Sequence, residues 1–130
     1  MTGLKSRRRG ATLQKEDGML VDWEKLLDNA MKSFGDLAKG NPKIMDGIKS
    51  LEEAGAAHNA LDAKTRELIA VAVASTTRCD TCIAVHVKAA VAAGATRPEL
   101  LEALGVAIGL NAGAAFVYSS HALEAFDAMK

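Results

Sequence analysis

The stretch RELIAVAVASTTRCDTCIAVHV, Arg66–Val87, decides what kind of fold this chain of 130 residues adopts. Its run Leu68-Ile69-Ala70-Val71-Ala72-Val73-Ala74 is wholly apolar and rich in β-branched side chains. Such a run suits a buried strand as well as a buried helix, and periodicity alone does not separate the two. The residues before it do. Asp62-Ala63-Lys64-Thr65-Arg66-Glu67 begins with a side chain that accepts the unpaired N–H groups of a first helical turn, and no strand-like pattern flanks the run. The pattern predicts a helix from Ala63 to about Thr76, capped by Asp62. Because the run is apolar on every side, this helix belongs at the centre of the fold.

The same stretch carries the chemistry. Cys79-Asp80-Thr81-Cys82 holds both cysteines of the chain, with His86 four residues after the second and Glu67 twelve before the first. A helix from Cys82 to about Ala93 puts Cys79, Cys82 and His86 on one face. Thr76, Thr77 and Asp80 are candidate helix-start residues, so the pair sits at or near a helix N-terminus. Unpaired N–H groups there favour a thiolate, which is the nucleophile. An ordinary cysteine has a pKa of about 8.5, and such surroundings bring it to roughly 3.5–7.5. Glu67 lies on the preceding helix, and an antiparallel hairpin returns it toward His86, where a carboxylate orients the imidazole. The pattern is that of a proton relay, Glu67 behind His86 and His86 beside a thiol.

Composition narrows the alternatives. The length suits one domain with a modest core. Hydrophobic residues make up 49% of the chain but aromatics only 4%, and an alanine-rich core buries little area per residue, so assembly is the expected source of further stability. Sixteen basic and sixteen acidic residues cancel, which leaves no electrostatic footprint for nucleic acid. Two cysteines in a CxxC do not make a secreted disulfide framework, and a redox pair in a reducing cytoplasm is the simpler expectation. Arg7-Arg8-Arg9 has no apolar run behind it, so no signal peptide is predicted. The apolar stretch around Ala103–Val117 is interrupted by Gly105, Gly109 and Asn111 and is predicted too short to span a bilayer.

Outward from the central stretch, residues 1–18 are polar and aperiodic and predict a mobile N-terminal tail, leaving 19–130 as one helical domain. Trp23, Leu26, Leu27, Ala30, Met31, Phe34 and Leu37 form a helical stripe, with Asp22 as cap and Gly40 as stop. Asn41-Pro42 starts a second helix that Gly55 ends. His58 falls in the following loop, as an exposed histidine. Beyond the cysteines, Gly94 stops the fourth helix, and Thr96-x-x-Glu99 with Pro98 between is a capping box that opens a fifth. Asn111-Ala112-Gly113 predicts a break, followed by a sixth helix, Ala114 to Ala128, with Tyr118 and His121 at its surface. Gly105 and Gly109, four apart, imply a close helix crossing.

Glu67, Cys79-x-x-Cys82 and His86, at these spacings in alanine-rich helical sequence, resemble the core motif of the alkylhydroperoxidase AhpD-like proteins of the carboxymuconolactone decarboxylase-like superfamily. The resemblance runs from about Leu61 to Phe126, about half the chain. It implies an all-α bundle of about six helices, assembled as a homo-oligomer, trimer or hexamer. It also implies reduction of hydroperoxides, with Cys82 attacking, Cys79 resolving, and His86 and Glu67 relaying protons. An external dithiol serves as reductant, and no metal or organic cofactor is required. Family members often carry a second histidine just before the second cysteine, and here Thr81 stands there. A muconolactone-type decarboxylase has no need of the cysteine pair, which argues against that activity.

Three other assignments of the pair remain. Zinc takes Cys79, Cys82 and His86 at tolerable spacing but needs a fourth ligand, from Glu67 or His121. A thioredoxin-like fold needs a βαβ pattern that the chain lacks. The last is a non-catalytic oligomeric protein in which the pair is inert.

Overall fold

The helix signals of the sequence become five helices among the described residues, 20–129, of the computed structural model. They are α1 (Trp23–Gly40), α2 (Pro42–Gly55), α3 (Ala63–Thr76), α4 (Asp80–Ala92) and α5 (Arg97–Ala128), with no strand among the described residues. The segment 1–18, expected to be a tail, lies outside them.

Local chemistry sets the helix starts. Asp22 accepts from the Lys25 N–H at 3.0 Å and Asp62 from the Thr65 N–H at 2.7 Å. At α5 the capping box is complete, with Glu99 Oε2 accepting from the Thr96 N–H at 2.8 Å and Thr96 Oγ1 accepting from the Glu99 N–H at 3.4 Å. Asn41 precedes α2, but its side chain makes no cap bond; its backbone N–H instead closes α1 on the Leu37 carbonyl. Helix α4 ends where Gly94 takes φ +84°, and the Gly94 and Ala95 N–H groups turn back to the Val91 and Ala90 carbonyls. That is a Schellman stop, whose left-handed residue is best a glycine.

The run Leu68–Ala74 is helical, as its polar opening predicted. Helices α3 and α4 form an antiparallel hairpin; α5 packs on α3, and α1 packs on α4 and α2. The buried residues are Val71 and Ala74 of α3 and Ala84 and Ala90 of α4. Small side chains at this seam let the two backbones approach closely. Lys64 in the first turn of α3 reaches Glu99 in the first turn of α5 at 2.7 Å, each side chain about one-third exposed.

The predicted break at Asn111-Ala112-Gly113 is absent, so about six helices become five. Helix α5 runs unbroken for 32 residues, because Asn111 Nδ2 donates to the Ala107 carbonyl at 2.8 Å and the asparagine is satisfied within the helix. At 1.5 Å per residue α5 is about 48 Å long. By length and composition it is long and apolar enough to cross a membrane, so the expectation that this stretch is too short for a bilayer does not hold. Only the first third of α5 is partly covered; everything from Ile108 onward is exposed.

Two stability outcomes follow. Gly94→Ala destabilises the protein by about 1 kcal/mol, because φ +84° disfavours any Cβ although the surrounding space is open, whereas Gly47→Ala, helical and equally open, stabilises it by up to about 1 kcal/mol; denaturant titration that finds the same sign for both would refute the φ argument. The Lys64 ammonium, with the Thr96 cap, holds the Glu99 carboxyl down to about 2. A lowered carboxylate contributes stability that is fully present above its ordinary value of 4.5 and is lost as pH falls toward 2. The stability lead of the native chain over Glu99→Gln should therefore hold at neutral pH and shrink across that acid window.

Candidate active site

Helix α3 closes with the Thr76 and Thr77 hydroxyls bonded back to the Val73 carbonyl at 2.8 and 3.1 Å. These threonines therefore finish α3 and do not start α4. The next residue, Arg78, takes φ +56°. A left-handed non-glycine residue costs about 1–2 kcal/mol, and here it lets the Cys79 N–H reach the Ala74 carbonyl at 3.1 Å. Cys79 is thereby delivered, in extended conformation, as the N-cap of α4. Its Sγ accepts from the Cys82 N–H at 3.2 Å, and its carbonyl accepts from the Ile83 N–H at 2.9 Å. Cys79 and Cys82 are joined as a disulfide, their Cα atoms 5.2 Å apart.

The hairpin also closes the distance that sequence spacing left open. Glu67 Oε2 lies 2.8 Å from His86 Nδ1 across the α3–α4 seam, with 27% of the glutamate and 37% of the histidine side chain exposed. An ionised carboxylate only accepts, so Nδ1 is the donor of this bond, and in the neutral ring Nε2 is then the acceptor. His86 is one turn beyond Cys82 on the same side of α4. All four predicted residues, Glu67, Cys79, Cys82 and His86, thus belong to one hairpin, with a carboxylate, an imidazole and a sulfur pair in succession. Thr81 occupies the first turn of α4 between the cysteines.

The other candidates stay apart. His58 is exposed in the turn after α2. Tyr118 and His121 pack against each other, ring centroids 4.8 Å apart and planes tilted by 48°, on the exposed part of α5. His121 is therefore not placed to complete a zinc set, and no three His, Cys, Asp or Glu side chains gather as metal ligands among the described residues. A groove of about 620 Å³ runs between α1 and α4, where Trp23 and Leu27 face Ile83 and Val87. None of Glu67, Cys79, Cys82 and His86 lines this groove. Sequence reasoning missed two features here. Cysteine is not among the preferred caps, so nothing marked Cys79 as one, and no glycine marked the left-handed turn at Arg78.

Comparison with known proteins bears on the same region. The Carboxymuconolactone decarboxylase family model matches residues 42–125. An uncharacterized protein of Haemophilus influenzae is 52% identical over 112 residues, 86% of this chain and 99% of that protein. "Uncharacterized protein 4 in cox locus" of Paracoccus denitrificans is 39% identical, over 78% of this chain and 91% of its own length. Among solved structures, apo-lpg0406, a carboxymuconolactone decarboxylase family protein from Legionella pneumophila, superposes with a TM-score of 0.65 at 38% identity, covering 81% of this chain and 94% of that one.

Removing the charge of the carboxylate tests the pair directly. Glu67→Gln and His86→Gln should leave helix content unchanged and slow ionisation-dependent reactions of the reduced thiols by about a hundredfold. Thiol-modification rates equal to those of the native protein across pH would exclude a relay.

Proposed function

The chain belongs to the carboxymuconolactone decarboxylase family, and from that membership and the hairpin geometry we propose that it is a thiol-dependent peroxidase, an oxidoreductase that reduces hydroperoxides. One observation carries the proposal: a Cys79–Cys82 disulfide at a helix N-terminus, on the same hairpin as a Glu67–His86 pair at 2.8 Å. Nothing in a decarboxylation calls for that sulfur pair.

In the reduced enzyme, His86 Nε2 takes the Cys82 proton while Glu67 holds Nδ1 and stabilises the charged ring. The Cys82 thiolate attacks the distal peroxide oxygen, the O–O bond breaks, and His86 returns the proton to the leaving alkoxide as alcohol. Cys82 is left as a sulfenic acid. The Cys79 sulfur attacks it, the disulfide forms, and hydroxide leaves to become water. One hydroperoxide and two thiols give an alcohol, water and a disulfide. An external dithiol restores the pair, a reaction that suits a reducing compartment such as the cytoplasm.

The working form we propose is a homo-oligomer, three or six copies by family resemblance. Its support is the exposed apolar length of α5, where Leu110 is 70% and Phe116 81% exposed, beside a buried core of one valine and three alanines among the described residues. A helix apolar all round needs partners on more than one side.

Intact mass of the fully reduced, metal-free protein after one equivalent of an organic hydroperoxide, followed by thiol blocking, tests the reaction. Loss of two hydrogens with no blocked thiol is expected; two blocked thiols would turn the assignment to an inert or zinc-binding pair. Light scattering should find a multiple of 13.6 kDa, and Phe116→Glu should lower it. A monomer that inserts α5 into lipid vesicles would overturn the assembly.

A further inference from the structure

We propose that the distal half of α5 in one copy seats in the groove between α1 and α4 of a second copy. This rests on the homo-oligomer reading above and names its contact. It does not depend on any reaction at the cysteines.

The order of packing comes first. Among the described helices α5 packs only on α3, α3 also on α4, α4 on α1, and α1 on α2. The chain is thus a row, α5–α3–α4–α1–α2, in which α5 stands well away from the α1–α4 groove. The start of α5 is level with the start of α3, because Lys64 and Glu99 meet at 2.7 Å. Beyond Glu99 its partly covered positions are Leu100, Ala103, Leu104 and Ala107, one helical stripe. The next 21 residues, 108–128, are all exposed and extend for about 31 Å. They continue the same unbroken helix, so they cannot turn back across α3 and α4 to fill the groove of their own chain.

That groove has the shape and chemistry to take a helix. Trp23 and Leu27 of α1 and Ile83 and Val87 of α4 give it apolar walls, and Glu24, Asp28 and Lys88 also line its volume of about 620 Å³. The four apolar residues are only half-buried. Helix α1 has 18 residues and is about 27 Å long, so the overhang of α5 can lie along it.

The overhang has a face for this contact. Gly109, Gly113, Phe116 and Leu123 follow one another at spacings of four, three and seven, which puts them on one side of the helix. The close crossing that Gly105 and Gly109 imply is not made within one chain: a Cβ at Gly105, Gly109 or Gly113 would meet nothing within 4 Å. A second copy supplies the missing neighbour, with the glycines allowing close approach and Phe116, one turn on, reaching the apolar walls. Leu110, Phe116, Tyr118 and Leu123 are each at least two-thirds exposed. A standard interface takes about 800 Å² from each copy. Phe116 and Tyr118 alone offer roughly 200–400 Å² of it, and in a reciprocal pair each copy adds the rest of its overhang and its own groove. Such a pair leaves neither surface open, since every chain carries both. A lipid bilayer suits α5 less well. Its one lysine or arginine is Arg97, so the distal end lacks the cations that anchor a spanning helix at the membrane surface.

Two experiments on the full chain test the contact. Gly113→Leu replaces a poor helix former in open space, so circular dichroism should hold or rise. Light scattering should nevertheless show a dissociation concentration at least about tenfold higher, because the new side chain overfills the crossing. Unchanged association would overturn the proposal. In the second, Phe116→p-benzoylphenylalanine is mixed with isotope-labelled native chain and irradiated. Peptide mass spectrometry should place the adducts on residues 23–28 or 83–88 of the labelled copy. Adducts elsewhere, or none, in a protein that light scattering finds assembled would overturn this contact and leave the homo-oligomer standing. A native chain that stays monomeric would sink both.

Discussion

Close approach of α3 and α4 through Val71, Ala74, Ala84 and Ala90 is the constraint on which the rest of the structure depends. Only small side chains at that seam allow a side chain early in α3 to meet one late in the first half of α4. Glu67 and His86 are nineteen residues apart in the chain and 2.8 Å apart in space for that reason. The seam also requires a tight reversal between the helices. Thr77, Arg78 and Cys79 are the only residues available for it, so the first cysteine falls at the reversal itself.

Small residues have a second consequence. Each buries little apolar area, at about 25 cal/mol per Å², and the hairpin gains little stability from its own core. The larger side chains of the chain lie elsewhere, on α1, α2 and above all α5, and most are exposed. The same composition that lets α3 and α4 come close therefore leaves most of α5 without a covering layer. In physical terms, the close seam between α3 and α4 and the exposed apolar surface of α5 have one origin.

This explains what could be read in the sequence and what could not. The helix starts at Asp22, Asp62 and Thr96 were legible because capping is local chemistry, settled within three residues. That Glu67, Cys79, Cys82 and His86 share one hairpin was legible because spacing and residue type survive any reasonable helical arrangement. The antiparallel hairpin that joins Glu67 to His86 was a reasonable expectation, but its 2.8 Å contact depends on packing and had to come from the structure. Asn111-Gly113 misled because a glycine and an asparagine signal a break only when nothing satisfies them, and here Asn111 bonds back to Ala107. Arg78 carried no signal at all: the left-handed turn is imposed by the Ala74–Cys79 bond, not by an intrinsic preference of arginine.

The first turn of α3 is fastened in two directions. Lys64 ties it to Glu99 on α5, and Glu67, less than one turn later, ties it to His86 on α4. The two pairs do different work. Glu99 has a fixed lysine and a complete capping box around it and is held well into the acid range, so it stays charged and acts as an anchor. Glu67 faces an imidazole that gains and loses a proton in the proposed relay, and both partners remain partly open to water. Full burial would impose a desolvation penalty of several kcal/mol per ion on whichever protonation state is charged, and it would make the imidazole resist one half of its cycle. Partial exposure avoids that penalty and lets the ring exchange protons with solvent. An anchor next to the proposed relay is thus a consistent arrangement: Lys64–Glu99 keeps the start of α3 in place beside the Glu67–His86 pair.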